Sequence, residues 1–109
     1  HKKIVGISAK NMEEALEAQK YGADYIGVGA IFATDTKKDS GLVDLDTIRE
    51  MTDKIHIPVL AIGGIGLGKV DYLRGTGIDG ICAISDILGA DDPEARTRAL
   101  LEEFRSLGI

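Results

Sequence analysis

Short apolar blocks recur along the chain with amphipathic or polar stretches between them. Residues 3–8, with Ile4, Val5 and Ile7, form the first block; Tyr25-Ile26-Gly27-Val28-Gly29 is the second. Residues 57–62 are the third and end in Gly63-Gly64, and residues 80–84 are the fourth. Each block is strand-sized and nearly continuous in its hydrophobicity. That is the pattern of a strand buried on both faces, as in a parallel sheet, rather than the strict alternation of a half-solvated one.

Helical signals fill the gaps. Asn11 is a good N-cap, and Glu14 three residues on makes an approximate capping box. Ala15, Leu16 and Ala18 then define one helix face, which stops at Gly22. Residues 45–53 read as a second helix with Leu45, Ile48 and Met51 on one side. A short helix is expected over residues 68–74. The last begins at Asp92-Pro93, Asp as cap and Pro in the first turn, and runs to about residue 107. Between the second block and the second helix lies a polar loop, residues 30–44, longer than most βα connections.

A weak repeat runs through this pattern. Gly22-Ala23-Asp24-Tyr25-Ile26 echoes Gly77-Ile78-Asp79-Gly80-Ile81, and each segment leaves a helix to begin a strand. Repeated βα units with apolar strands predict an α/β fold built of parallel (β/α) units, about four of them, as in a TIM barrel. Four units cannot close a barrel, which needs about eight strands and roughly 250 residues; this chain has 109. Residues 1–109 are therefore expected to be a half barrel belonging to a longer one. A chain that pairs with another copy and an open flavodoxin-like sheet are the alternatives.

Composition narrows the function. The net charge is −5, and the basic residues are scattered apart from short pairs such as Lys37-Lys38, so neither a nucleic-acid interface nor a membrane-surface role is expected. No apolar run approaches the length of a membrane span. The one cysteine, Cys82, sits in an apolar run, reads as core, and leaves no disulfide scaffold; a cytoplasmic location is the simplest expectation. The chain starts at His1, which is not a translation start, so the lack of a visible signal peptide weighs little.

In α/β folds ligands gather at the carboxyl ends of the strands. Those ends here carry Ser8-Ala9, Gly29-Ala30, Gly63-Gly64 and Ile84-Ser85. The small residues leave backbone amides of Gly64, Ile84 and Ser85 accessible to one anion, in the manner of barrel phosphate sites. A glycine pair taken alone reads first as a tight turn; it is the second small-residue strand end one βα unit later that favours the phosphate reading. Thr34, Asp35, Thr36 and Lys37, in the long loop, suit phosphate oxygens, although a solvated polar loop has the same composition. Ser8 suits a helix cap better than a ligand contact on residue type alone. His56 and the two aspartates Asp24 and Asp79 fall at the opposite ends of the strands, where structural roles fit them. Asp86, Asp91 and Asp92 read as capping or surface residues, and no metal-ligand spacing stands out.

At this point the motifs become recognisable. Gly6-Ile7-Ser8-Ala9, Gly22-Ala23-Asp24-Tyr25-Ile26-Gly27-Val28-Gly29, Ile31-Phe32-Ala33-Thr34-Asp35-Thr36-Lys37, Ile57-Pro58-Val59-Leu60-Ala61-Ile62-Gly63-Gly64-Ile65, Gly77-Ile78-Asp79-Gly80, Ile84-Ser85 and Asp91-Asp92-Pro93 together resemble the thiamine phosphate synthase family, in its C-terminal half. The resemblance implies a TIM barrel that joins a hydroxymethylpyrimidine diphosphate to a thiazole phosphate. Pyrophosphate leaves, Mg2+ assists, and the protein's main task is to position the reactants and stabilise charge. By the same resemblance Ser8 and Lys37 contact the pyrimidine diphosphate, and Lys37 is catalytic, offsetting charge on the leaving group. Thr34, Asp35 and Thr36 lie along the thiazole phosphate, whose phosphate is held by the amides of Gly64, Ile84 and Ser85. The Mg2+ ligands and the Gln-x-Arg-x-Lys diphosphate motif of the family belong to an N-terminal half that does not precede Ser8 here. The partners implied are small phosphorylated substrates, with a homo-oligomer or an N-terminal half completing the barrel.

The chain departs from the family pattern in places. Ala30 stands where proline is usual, Lys10 where histidine is frequent, and Gly66-Leu67-Gly68 where a Thr/Ser-Pro helix start is common. The missing half predicts that the chain alone is inactive as a synthase. The related thiazole tautomerase is a rival, disfavoured by the lack of histidine after Ser8 and at Ala30. A non-catalytic phosphometabolite-binding half barrel is another. An indole-glycerol-phosphate-type enzyme fits the Thr34–Lys37 loop less well.

Overall fold

The protein is described by a computed structural model over residues 3–31 and 42–107. Four strands, β1 (Gly6–Ala9), β2 (Tyr25–Val28), β3 (Val59–Ile62) and β4 (Gly80–Cys82), form one parallel sheet in the order β1-β2-β3-β4. Helix α1 (Met12–Lys20) joins β1 to β2 and α2 (Leu45–Lys54) precedes β3. A 3-10 helix (Val70–Leu73) links β3 to β4, and α3 (Ser85–Leu88) and α4 (Pro93–Ser106) follow. Strand order that follows chain order has no switch point, which removes the flavodoxin-like arrangement and leaves an arc of (β/α) units.

The helix starts follow from their caps. The Glu14 amide donates to Asn11 Oδ1 at 2.8 Å, which makes the cap, while Glu14 Oε1 accepts from the Lys10 amide at 2.7 Å, one residue before the amide a strict capping box uses. Asp92 caps α4 by accepting from the Ala95 amide, with Pro93 in the first turn. Asp44 caps α2 by accepting from the Thr47 amide at 2.8 Å.

Alternation along the strands sorts the two faces of the sheet. Ala9, Ile26, Val28, Val59 and Ala61 are buried and join Ala15, Ala18, Ile48, Met51, Val70 and Leu73 in one core. Their neighbours Ser8, Gly27, Leu60 and Ile62 point the other way and are exposed or half-buried. That face is the open one. Its bulk is already interdigitated: the Tyr25 ring occupies the place of a Cβ on its register partner Gly6, and Leu60 Cδ2 lies 2.8 Å from where a Cβ on its partner Gly80 would stand.

Several expectations need correction. The first block is not a strand buried on both faces: β1 starts at Gly6, and Ile4, Val5 and Ile7 are exposed because β1 is an edge with nothing on its free side among the described residues. Leu16 is about half exposed, since the core-facing stripe of α1 is Ala15 and Ala18. Residues 68–74 make only a single 3-10 turn, held by the Arg74 amide on the Asp71 carbonyl and without a side-chain cap. The fourth strand ends at Cys82, and Cys82 is half-buried on the open face rather than core. No helix among the described residues is long and apolar enough to cross a membrane.

Candidate phosphate site

The carboxyl ends of all four strands share one end of the sheet, as parallel pairing requires. At β3, Gly63 and Gly64 take φ of 101° and 67°, a left-handed turn that other residues enter only with strain. Gly63 also sits against the end of β2: a Cβ there would lie 2.7 Å from Ala30 Cα. The Ile31 amide donates to the Ile62 carbonyl at 3.1 Å, and the Val43 amide returns to the Ala30 carbonyl at 2.9 Å. Both stems of the long loop are thus pinned beside the glycine pair.

At β4, the chain turns at Ile84, which is exposed, and Ser85 opens α3. The Leu88 amide donates to the Ile84 carbonyl at 2.9 Å, which closes the single helical turn. Gly64, Ile84 and Ser85 therefore lie at the ends of adjacent strands, on the same side of the sheet. Ser8 lies at the tip of β1 on the open face; the cap of α1 is Asn11, so the capping alternative for Ser8 is not used. Thr34, Asp35, Thr36 and Lys37 lie outside the described residues.

The far end carries the structural groups. Asp24 and Asp79 accept from the amides of Val5 and Val59, each at 2.8 Å, and the His56 amide donates to Gln19 Oε1. A cavity of about 320 Å³ lies between β4 and α4, lined by Ile81, Ala83, Ile87, Leu100, Leu101 and Phe104 among others. Its walls are mostly hydrocarbon, and it offers a packing surface rather than chemistry. Among the described residues no group of three or more His, Cys, Asp or Glu side chains is placed to hold a metal ion.

One feature of the site was not legible in the residue pattern. Asp86 is not a helix cap, and at the partly open surface it is tied to two partners. Its Oδ2 accepts from the Leu67 amide at 3.0 Å and its Oδ1 pairs with Arg96 at 2.6 Å. It ties the loop after β3 to the start of α3. The unusual Gly66-Leu67-Gly68 run was the only signal, and it does not name its partner.

The family profile described as thiamine monophosphate synthase matches residues 1–87. The chain belongs to that family. It is 48% identical over 105 residues to the thiamine-phosphate synthase of Clostridium botulinum, covering 96% of this chain and 49% of that protein. It is 51% identical over 90 residues to the thiamine-phosphate synthase of Clostridium tetani, covering 83% and 43%. The solved thiamine phosphate pyrophosphorylase of Pyrococcus furiosus superposes with a TM-score of 0.84 at 39% identity, covering 95% of this chain and 50% of that one. The chain thus spans about half the length of the curated relatives it matches.

Proposed function

We propose that residues 1–109 are the C-terminal half of a thiamine-phosphate synthase barrel and supply its thiazole-phosphate side. The observation that carries this reading is the meeting of the Gly63-Gly64 turn and the Ile84-Ser85 turn at one end of neighbouring parallel strands, in a chain of this family. The amides of Gly64, Ile84 and Ser85 bind the phosphate of the thiazole substrate, with Thr34, Asp35 and Thr36 along its length. Ser8 and Lys37 face the pyrimidine diphosphate.

In the reaction the bond from the pyrimidine methylene carbon to the diphosphate oxygen breaks, and a bond from that carbon to the thiazole nitrogen forms. The electron pair of the broken bond leaves with pyrophosphate. Lys37 offsets the negative charge that grows there, and the phosphate amides hold the thiazole nitrogen in line. Bound Mg2+ would lower the charge of the diphosphate, and the residues that would hold it are expected in the other half. The active protein is cytoplasmic.

The other half covers what this one leaves bare: the free edge of β1 with Ile4 and Val5, the free edge of β4, and the apolar cavity above Ile81 and Phe104. Pairing with an N-terminal half, rather than with a second copy, brings the diphosphate and Mg2+ groups this chain lacks.

Pyrophosphate release from the pyrimidine diphosphate and thiazole phosphate tests the proposal. The 109-residue chain alone is expected to show none above background, and the chain mixed or fused with a family N-terminal half to turn over. Turnover by the pure chain, or none by the completed barrel, overturns it. Calorimetric binding of thiazole phosphate without turnover in the completed barrel would favour a non-catalytic binding module.

A further inference from the structure

We infer that Asp86 and Arg96 form a clamp that fixes the spacing of the two amide-bearing turns and so tunes the site for a phosphate monoester. Asp86 is a positioning residue here, and Arg96 is what makes a carboxylate tolerable at that place. The inference rests on the reading of Gly64, Ile84 and Ser85 as the phosphate site.

Three observations carry it. First, the Asp86 carboxylate is used on both oxygens, one for the Leu67 amide at 3.0 Å and one for Arg96 at 2.6 Å. It follows Ser85 directly, and Leu67 follows Gly64 by three residues, so one side chain bridges the turn after β3 and the turn after β4. Secondly, the approach is tight: a Cβ on Gly66 would lie 3.0 Å from Asp86 Cγ, so a methyl group there would press on the carboxylate. A further carboxylate, Glu103 of α4, accepts from the Gly68 amide at 2.9 Å and anchors the same loop one step on. Thirdly, the Asp86–Arg96 pair is only partly open to solvent, at 23% and 33% side-chain exposure, unlike the exposed pairs within α2 and α4.

Electrostatics explains why the arginine belongs to the clamp. A carboxylate next in sequence to an anion-binding amide repels the anion unless its charge is matched. With Arg96 in place the pair is close to neutral as seen from the phosphate. Without Arg96, Asp86 is a bare charge beside the ligand. Removing the arginine alone therefore harms phosphate binding more than removing both partners.

The test is calorimetric binding of hydroxyethylthiazole phosphate and of the unphosphorylated alcohol to the full chain and to Arg96→Gln, Asp86→Asn, the Asp86→Asn/Arg96→Gln double variant, and Arg98→Ala as a surface control on α4. Arg96→Gln is expected to weaken the phosphate ligand roughly tenfold while leaving the alcohol unchanged. The double variant is expected to recover part of that loss, a non-additivity that simple destabilisation does not produce. Arg98→Ala is expected to match the parent. Gly66→Ala, which presses on Asp86 without touching its charge, gives a second route to the same loss should Arg96→Gln fold poorly. Equal weakening of both ligands, or no recovery in the double variant, overturns the clamp while leaving the phosphate site standing. No preference of the parent chain for the phosphorylated ligand overturns the site, and the clamp with it.

Discussion

Asp79 and Val59 are joined twice: the Val59 amide donates to Asp79 Oδ2 at 2.8 Å, and the Asp79 amide donates to the Val59 carbonyl at 2.9 Å. Asp24 and Val5 repeat the arrangement two strands earlier, at 2.8 and 2.7 Å. The weak sequence echo between residues 22–26 and 77–81 is thus the same device used twice, an aspartate that locks the start of one strand to the start of its parallel neighbour.

The two copies are not equivalent in environment. Val59 is buried, whereas Val5 is about half exposed. Asp79→Ala leaves a part-buried amide without its partner and is expected to cost about 1 kcal/mol or somewhat more, and Asp24→Ala less, because its bond is exposed and water can replace the carboxylate. Asp79→Asn, which keeps an acceptor, is expected to lose less than Asp79→Ala. Urea denaturation of the variants checks the order; equal losses at the two aspartates would contradict it.

Gly63 combines a φ of 101° with a Cβ position 2.7 Å from Ala30 Cα, whereas Gly64 has a φ of 67° that alanine can reach. Gly63→Ala is expected to cost about 2 kcal/mol or more, and Gly64→Ala about 1 kcal/mol. The same denaturation series reports this, and a Gly64→Ala loss exceeding that of Gly63→Ala would be against the geometry.

Asp44 introduces a pH dependence. The Thr47 side-chain hydrogen bond first, and the Thr47 amide second, hold its carboxyl below the usual carboxylate value. The folded protein therefore binds the proton less readily than the unfolded chain. The stabilisation is present above the unfolded pKa and is lost as pH falls through the folded one. Asp44→Asn is expected to flatten the acid limb of stability below about pH 4, measured as denaturation midpoint against pH. An unchanged limb would remove Asp44 from the account.

The edges of the sheet, uncovered among the described residues, predict self-association of the isolated chain. Ile4 is 78% exposed and Leu88 75%, one toward each end of the sheet. Ile4→Lys with Leu88→Lys is expected to shift sedimentation toward monomer, with a stability change within about 0.5 kcal/mol. A parent chain that sediments as monomer at all micromolar concentrations would show that these edges do not stick.

Complementation tests the long loop. In the completed barrel, Lys37→Ala is expected to lower kcat by about a hundredfold or more while thiazole-phosphate binding is retained. Equal loss of kcat and binding would place Lys37 in substrate anchoring instead.

The residue pattern alone determined the four strand-sized blocks, their common direction and the caps of α1 and α4. Strand-sized apolar blocks, Asn11 with Glu14, and Asp92 with Pro93 are local signals, and local physics reads them directly. It also placed Gly64 and Ser85 at strand ends, because a parallel sheet sends every carboxyl end the same way. Tertiary structure alone decided which apolar residues are covered. Ile4, Val5 and Ile7 look like core from their composition and are exposed because burial depends on a neighbouring strand. It also decided what Asp86 does: residues 19 positions apart meet only through the fold, and a carboxylate carries no mark of the amide and guanidinium it will find there.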